Sequence, residues 1–376
     1  MPLTLKTSLT EETIRQTKSR LSSIRPVLEV VQNLPSTRYY GSKKKLLPWI
    51  FENIKSLEFR TVLDGFGGTG SVSLLFKAMG KDVTYHDAFN FNRHMAEAVL
   101  GNELAVDPET FSDFVNNVTP HEGVVYNHFR NIFYTDNENK WLDGFIRKLH
   151  ASNLDNSQIS LYRYTLFQAC LKKRPFNLFH RANLNVRLNE NVTRSFGNKT
   201  TWEKPFEELM LQSFTELSSK LFKSKSNIRI SNASSINRVN SGYDLVYLDP
   251  PYVSLKEKNN LDDYWKRYHF LEGLCRYNEW TDTIDPQSKI KAMHQPKHFL
   301  DWSRKATFTE KLFNLIEKHQ RSTVVLSYVS EALPDESEIT AHFESLFPIV
   351  SVHSKDHAHA LSRSRKRELL FIGKQQ

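Results

Sequence analysis

The sequence predicts an α/β fold built on a mostly parallel sheet and split by a long insertion. Three observations carry this. An apolar strand at 61–64 runs into a glycine-rich turn and then a helical stretch, a second strand follows at 82–87, and strand signals return only after residue 226. Strands that alternate with helices argue for a parallel sheet covered on both faces.

Taken in chain order, Ser8-Leu9-Thr10-Glu11 fits a helix-starting capping box. Ile14, Leu21, Ile24, Leu28 and Val31 then recur at helical spacing, so an N-terminal helix is expected over 8–32 with a narrow apolar stripe that packs on the protein's own body. Thr61-Val62-Leu63-Asp64 is the first strand, Ser71 to Met79 the helix after the turn, and Asp82 to Asp87 the second strand. Residues 105–225 are rich in Asn, Phe, Arg and Lys and show no further strand–glycine–helix unit. Strands resume at Ile228–Ile230, Tyr243–Asp249, Ser322–Ser327 and Glu368–Ile372. The expected organisation is an N-terminal helix in 1–35, a discontinuous α/β domain of 36–104 and 226–376, and an insertion of 105–225.

Composition narrows the class. Of 376 residues 39% are hydrophobic, with 25 Phe, 14 Tyr and 6 Trp, which is enough bulk for a core and excludes wholesale disorder. No apolar run reaches the roughly 18 residues that a membrane-spanning helix needs, and nothing near the N-terminus reads as an export signal. A soluble cytoplasmic protein is expected. Two cysteines, Cys170 and Cys275, are too few for a disulfide framework or a cysteine-ligated zinc site. Cys170 reads as a small buried hydrophobe. His353, His357 and His359, accompanied only by Asp356, read as a polar loop and not as a metal site. The net charge of +9 supplies a field that attracts polyanions.

Asp64-Gly65-Phe66-Gly67-Gly68-Thr69-Gly70 follows a strand and opens a helix. Its glycines let backbone approach a ligand closely. Gly65, Gly67 and Gly70 satisfy the G-x-G-x-x-G dinucleotide pattern, and Asp87 lies near the spacing of a ribose partner. Two ligands fit this loop: a nicotinamide or flavin dinucleotide, or S-adenosylmethionine. Asp64 and the Phe66-x-Gly68-x-Gly70 arrangement favour the second, because an acid at the strand end can take a methionine amino group and would repel a pyrophosphate.

Tyr243-Asp244-Leu245-Val246-Tyr247-Leu248 ends abruptly in Asp249-Pro250-Pro251-Tyr252. Pro251 fixes its own φ and restricts Pro250, making a stiff corner at a strand's C-terminal end, where open α/β sheets place ligands. The corner presents a carboxylate, a bare carbonyl and an aromatic face. An exocyclic amine on a base needs that set: its hydrogens donate to Asp249 and to the Pro250 carbonyl while Tyr252 stacks on the ring. The site would work by orientation and electrostatics, without a metal.

In these pieces the chain resembles the D12, or Dam-like, class of N6-adenine DNA methyltransferases, over most of residues 36–376. Arg38-Tyr39-Tyr40-Gly41-Ser42-Lys43 is similar to the motif that precedes the glycine loop, which makes Tyr39 and Lys43 cofactor contacts. Asp64 to Gly70 is similar to the glycine-loop motif, Asp87 to the acid that takes the ribose hydroxyls, and Asp249 to Tyr252 to the catalytic tetrapeptide. Arg365 to Leu370 resembles the closing strand. The acid that many relatives carry after the third strand is absent; the loop reads Ser231-Asn232-Ala233-Ser234-Ser235, leaving Asn232 or Ser234 to meet the cofactor adenine. The resemblance implies a Rossmann-like S-adenosylmethionine-dependent methyltransferase fold with an inserted, mainly helical target-recognition domain. It also implies duplex DNA as partner, and a restriction–modification setting with a companion nuclease.

Chemistry at N6 requires the adenine to leave the stack, so phosphate and base contacts are expected in three segments. Lys172, Lys173, Arg174, Asn177, Arg181 and Arg187 belong to an Asn/Arg-rich stretch suited to reading base edges. Lys266 and Arg267 sit in Tyr264–Phe270, which suits a loop closing on DNA, and Arg363, Arg365, Lys366 and Arg367 can meet phosphates. Ser327 and Tyr328 are expected to line the pocket or to cap the core. Two other classes remain: a dinucleotide oxidoreductase, which leaves the Asp-Pro-Pro-Tyr corner unexplained, and a DNA-binding module with an inactive site.

Overall fold

The computed structural model describes residues 26–35, 39, 41–175, 178–189, 199–254, 264–358 and 365–376. The strands are β1 (Thr61–Asp64), β2 (Asp82–Tyr85), β3 (Ile228–Ile230), β4 (Leu245–Leu248), β5 (Val253–Ser254), β6 (Thr323–Val329), β7 (Ala332–Leu333), β8 (Ile349–Ala358) and β9 (Arg365–Lys374). Seven of them form one sheet in the order β3-β2-β1-β4-β6-β9-β8, and β5 pairs with β7 beside it. From β3 through β6 every pairing is parallel; β9 runs antiparallel to both β6 and β8.

β4 is buried along its whole length, the near-continuous apolar run of a strand covered on both faces. Successive side chains alternate between faces. Leu245 and Tyr247 join the cluster that holds Val62, Val83 and Tyr85, while Val246 and Leu248 join the one that holds Leu63, Val324 and Leu326. Helices Leu47–Ile54, Ser71–Ala78 and Asn90–Leu100 supply the first cluster; Lys305–Lys318 and Glu336–Leu346 supply the second.

The segment between β2 and β3 is helical. Asp136–Ala151 and Asn156–Lys172 both start on capping boxes, Thr135 with Glu138 and Asp155 with Gln158. Their apolar residues continue the first cluster, so one core runs from the sheet into the helices. The chain after the Pro-Pro corner adds to the same body. Phe270, on helix Tyr264–Cys275, packs against Phe129, Phe133 and Phe179.

Two expectations are corrected. The stretch carrying His353 and His357 is a strand, β8, paired residue for residue with β9 from Ile349 to Ala358. It reads as polar because it is the sheet's outer strand, and its side chains are largely exposed. Tyr264–Phe270 is not a loop but the first part of a helix whose Trp265, Tyr268, His269 and Phe270 are buried. The N-terminal capping box with Ile14, Leu21 and Ile24, and likewise His359, lie outside the described residues; 26–32 are helical, with Val31 buried and Leu28 packed on the core. None of the described helices is long and apolar enough to cross a membrane.

Candidate active site

Register brings the chemistry to one edge. Asp64 lies opposite Tyr85 on one side and Tyr247 on the other, so β1, β2 and β4 end level and their following residues converge. Because β9 is antiparallel, its early residue Glu368 arrives at the same edge, opposite Val329 near the end of β6.

The glycine loop turns from β1 into helix Ser71–Ala78. Gly68 and Gly70 have φ of 49° and 73°, which side chains disfavour. A Cβ at Gly67 would lie 2.1 Å from the Tyr85 ring. The loop's amides are largely committed. Gly65 donates to the Tyr247 carbonyl (2.9 Å), Gly67 to the His86 carbonyl (2.9 Å) and Gly70 to the Gly67 carbonyl (2.8 Å). Gly68 donates to the Asp87 carboxylate at 2.9 Å, and the other Asp87 oxygen accepts from the Phe89 amide at 2.8 Å.

Three carboxyls gather here. Asp64 is 1% exposed, accepts from the Ser73 hydroxyl at 2.7 Å, and is pushed up to about 7 by burial, with Asp249 and Asp87 adding to the rise. Burial also raises Asp87. So enclosed a carboxyl presents almost no surface. Phe66 packs edge-on against Trp302 at 5.0 Å. Asn232 is exposed beyond β3, in a turn where Ser231 donates to the Tyr85 carbonyl at 2.8 Å.

Tyr39 lies beside Gly68 and stacks on Tyr268, with ring centres 4.7 Å apart and planes within 4°. Tyr264 stacks alongside. Helical i,i+4 spacing places both tyrosines on one face toward Tyr39, so that helix packs against the residue beside the glycine loop. Ser42 reaches the glycine loop at Thr69 and Ser71 (3.4 and 3.3 Å).

Lys43 lies at the Asp-Pro-Pro-Tyr corner. Its ammonium donates to the Tyr252 hydroxyl and to Glu368 Oε2 (3.0 Å), and lies 3.3 Å from Asp249 Oδ1. Tyr252 in turn donates to Asp249 Oδ1 at 2.8 Å, and its ring meets Tyr328 edge-on. Burial would lower Lys43, but Asp249 and Glu368 outweigh it and the ammonium's pKa is raised. Asp249 is pushed up to about 6, by burial first; Lys43 and Tyr252 oppose the rise and Glu368 adds to it. Sequence reasoning missed Glu368 as a site residue. Its signal was an acid at the head of the apolar run Leu369-Leu370-Phe371-Ile372, where it is 1% exposed. Ser327 is buried in β6, and the Tyr328 hydroxyl donates to the Leu333 carbonyl.

The expected DNA-contacting residues divide. Lys173 and Arg174 are each 1% exposed. Lys173 donates to the carbonyls of Trp202 (3.0 Å) and Lys204 and pairs with Glu138 at 2.8 Å. Arg174 donates to the carbonyls of Phe133, Leu178 and Arg181 and lies over the rings of Phe133 and Phe179. Neither reaches a phosphate from there. Arg187 is bidentate on Glu138 (2.6 and 2.7 Å), and Lys172 donates to Ser213. Arg181 and Lys266 are exposed and Arg267 is half-buried. Arg367 pairs with Glu336 at 2.9 Å. Asn177 and Arg363 lie outside the described residues, as do the side chains of Arg365 and Lys366.

The chain is 23% identical to the type II methyltransferase M2.HphI of Haemophilus parahaemolyticus over 90% of its own length and 97% of the relative's. It is 22% identical to the type II methyltransferase M.NlaIII of Neisseria lactamica, over 81% and 87%. A solved methyltransferase domain of a bacterial Hen1 protein aligns at 11% identity over 87% and 96% of the two chains, but its TM-score of 0.27 is too low to carry an argument. The profile of the D12 class N6 adenine-specific DNA methyltransferases matches residues 39–324, from Tyr39 through both the glycine loop and the Asp-Pro-Pro-Tyr corner, and the chain belongs to that family.

Proposed function

We propose that the protein transfers a methyl group from S-adenosylmethionine to N6 of an adenine swung out of a specific duplex DNA sequence. The observation that carries this reading is the corner at 249–252, where one Asp249 oxygen is tied to Tyr252 and Lys43 at the open end of β4. The second oxygen of Asp249, whose side chain is 17% exposed, and the Pro250 carbonyl are placed by sequence to accept the two amine hydrogens. Tyr252, fixed at its hydroxyl, offers a ring face to the base. Held so, the nitrogen lone pair leaves the ring's conjugation and is aimed by geometry alone.

The residues present fit the cofactor. Asp64, Asp87 and Asp249 concentrate negative charge around the glycine loop, and a cation relieves their mutual repulsion. S-adenosylmethionine, when bound, supplies a methyl group on a sulfonium. Asp87 retains lone pairs for ribose hydroxyls, while Tyr39 and Phe66 wall the loop. The names of the relatives, both type II methyltransferases, support a restriction–modification setting with a companion nuclease.

The test is to incubate the protein with duplex DNA and cofactor and to map modified adenines. N6-methyladenine at one short sequence is the expected product. Asp249→Ala should cut turnover by at least about a hundredfold while cofactor still binds. Full activity in that variant, or methylation confined to cytosine, would sink the proposal.

A further inference from the structure

Beyond the corner itself, a buried acid on a distant strand reaches the same lysine. Glu368 is 325 residues from Lys43 in the chain, yet its Oε2 accepts from the Lys43 ammonium at 3.0 Å, closer than the 3.3 Å from that ammonium to Asp249 Oδ1. The side chains of Lys43, Glu368 and Asp249 are 7%, 2% and 17% exposed. A single enclosed cation thus stands between two acids, and the more deeply enclosed acid has the shorter contact. Oδ1 of Asp249 also carries the Tyr252 hydroxyl, while Oδ2 has no described partner. An ammonium drawn fully onto Asp249 would compete for the carboxylate that has to receive the substrate amine.

We propose that Glu368 is a positioning residue for the methyl-transfer reaction: it holds the Lys43 ammonium back, so that Asp249 meets the amine with one oxygen unmasked. This rests on Asp249 being the acceptor of the adenine amine. Among the described residues, the charged and titratable groups that bear on Asp249 include Lys43 from the turn before helix Leu47–Ile54, Tyr252 and Tyr247 from its own segment, Glu368 from β9, Asp64 from β1, and Tyr39. Among these Lys43 acts on Asp249 more strongly than Glu368 does, and in the opposite sense.

Opposite effects make the test sharp. Glu368→Gln removes a charge that raises Asp249 and frees the ammonium to move toward it, so both consequences lower the pH at which Asp249 titrates. The acid limb of the kcat profile should move down by about one pH unit, the size a neighbouring charge commonly imposes. The plateau rate should fall while KM for DNA holds. Lys43→Met should move the limb up. It strands Glu368, so the double variant Lys43→Met/Glu368→Gln, which leaves neither charge buried, guards against misfolding and should also titrate above the wild type.

NMR of protein carrying carboxyl-labelled aspartate, without cofactor or DNA, should show the same directions at Asp249. A limb and a carboxyl titration unmoved or raised in Glu368→Gln would overturn the proposal, as would an unchanged plateau rate. Absence of N6-methyladenine from the wild type would instead fail the functional reading, and the labelled titration would still judge the role of Glu368.

Discussion

Gly67→Ala is the substitution for which the structure yields the fullest calculation. Its new Cβ would stand 2.1, 2.4 and 2.9 Å from three atoms of the Tyr85 ring. Ordinary carbon contacts lie at about 3.5–4.0 Å, so the ring has to retreat by roughly 1.5 Å or the loop has to lift. Tyr85 is fully buried on β2, between β1 and β3, and its hydroxyl donates to the Gly68 carbonyl at 2.7 Å. Overpacking of a dense core costs about 1–3 kcal/mol, and a lost internal hydrogen bond about 1 kcal/mol. The sum is about 2–4 kcal/mol. If the sheet yields, the cost appears as lost stability in denaturant titration; if the loop yields, it appears as weaker S-adenosylmethionine binding, by about thirtyfold or more. Gly101→Ala is the internal control: its Cβ would meet backbone oxygens no nearer than 3.4 Å, so a change within about 0.5 kcal/mol is expected. In a Tyr85→Ala background the clash is gone and Gly67→Ala should cost little, a strongly non-additive cycle. Additive single effects, or wild-type binding and stability in Gly67→Ala, would refute the reasoning.

Two further outcomes follow from the buried charges. Asp64 titrates near pH 7 in the absence of ligand and a cation favours its ionised form. S-adenosylmethionine affinity should therefore be full well above pH 7 and fall below it, by up to about tenfold per pH unit, with a matching proton release in calorimetry; Asp64→Asn should shrink that release near pH 7. Arg174→Met leaves the carbonyls of Phe133, Leu178 and Arg181 without their donor, and should cost about 3 kcal/mol or more in chemical denaturation. Lys266→Ala, on an exposed side chain, should leave stability within about 0.5 kcal/mol and reduce the salt slope of DNA binding by about 1.

The parts of the fold that local physics determines were legible from sequence. Val62 and Leu63 of β1 and all of β4 form apolar runs that cannot face water, and the loop at 65–70 announces its positive φ through its glycines. What escaped prediction depends on partners far away in the chain. Among the described residues β8 has β9 as its one strand neighbour, and that pairing holds its exposed, polar run as a strand. Lys173 and Arg174 sit in a basic run that looks solvated, yet backbone carbonyls and Glu138 absorb their charge inside the helical body. Tyr264 to Phe270 reads as a basic aromatic loop until Tyr39 and Phe129 are seen to bury alternate faces of it. Glu368 is the extreme case, since its role requires Lys43 from the other end of the chain.

The same limit explains why G-x-G-x-x-G left two ligands open. The pattern records where side chains are forbidden and not where the freed amides point. A pyrophosphate needs those amides unspent and a neutral or positive surround. Here the amides of Gly65, Gly67 and Gly70 close on backbone carbonyls, and that of Gly68 already donates to a carboxylate. Burying Asp64 and Asp87 in apolar surroundings would be wasteful for an anionic ligand, because each raises the cost of ionising the other. A sulfonium with an ammonium nearby converts that repulsion into attraction, and it also supplies the positive charge that a methyl donor must shed when the bond to nitrogen forms. On the proposed function the loop selects its ligand by charge, and the acids beside it, more than its glycines, carry the chemical information.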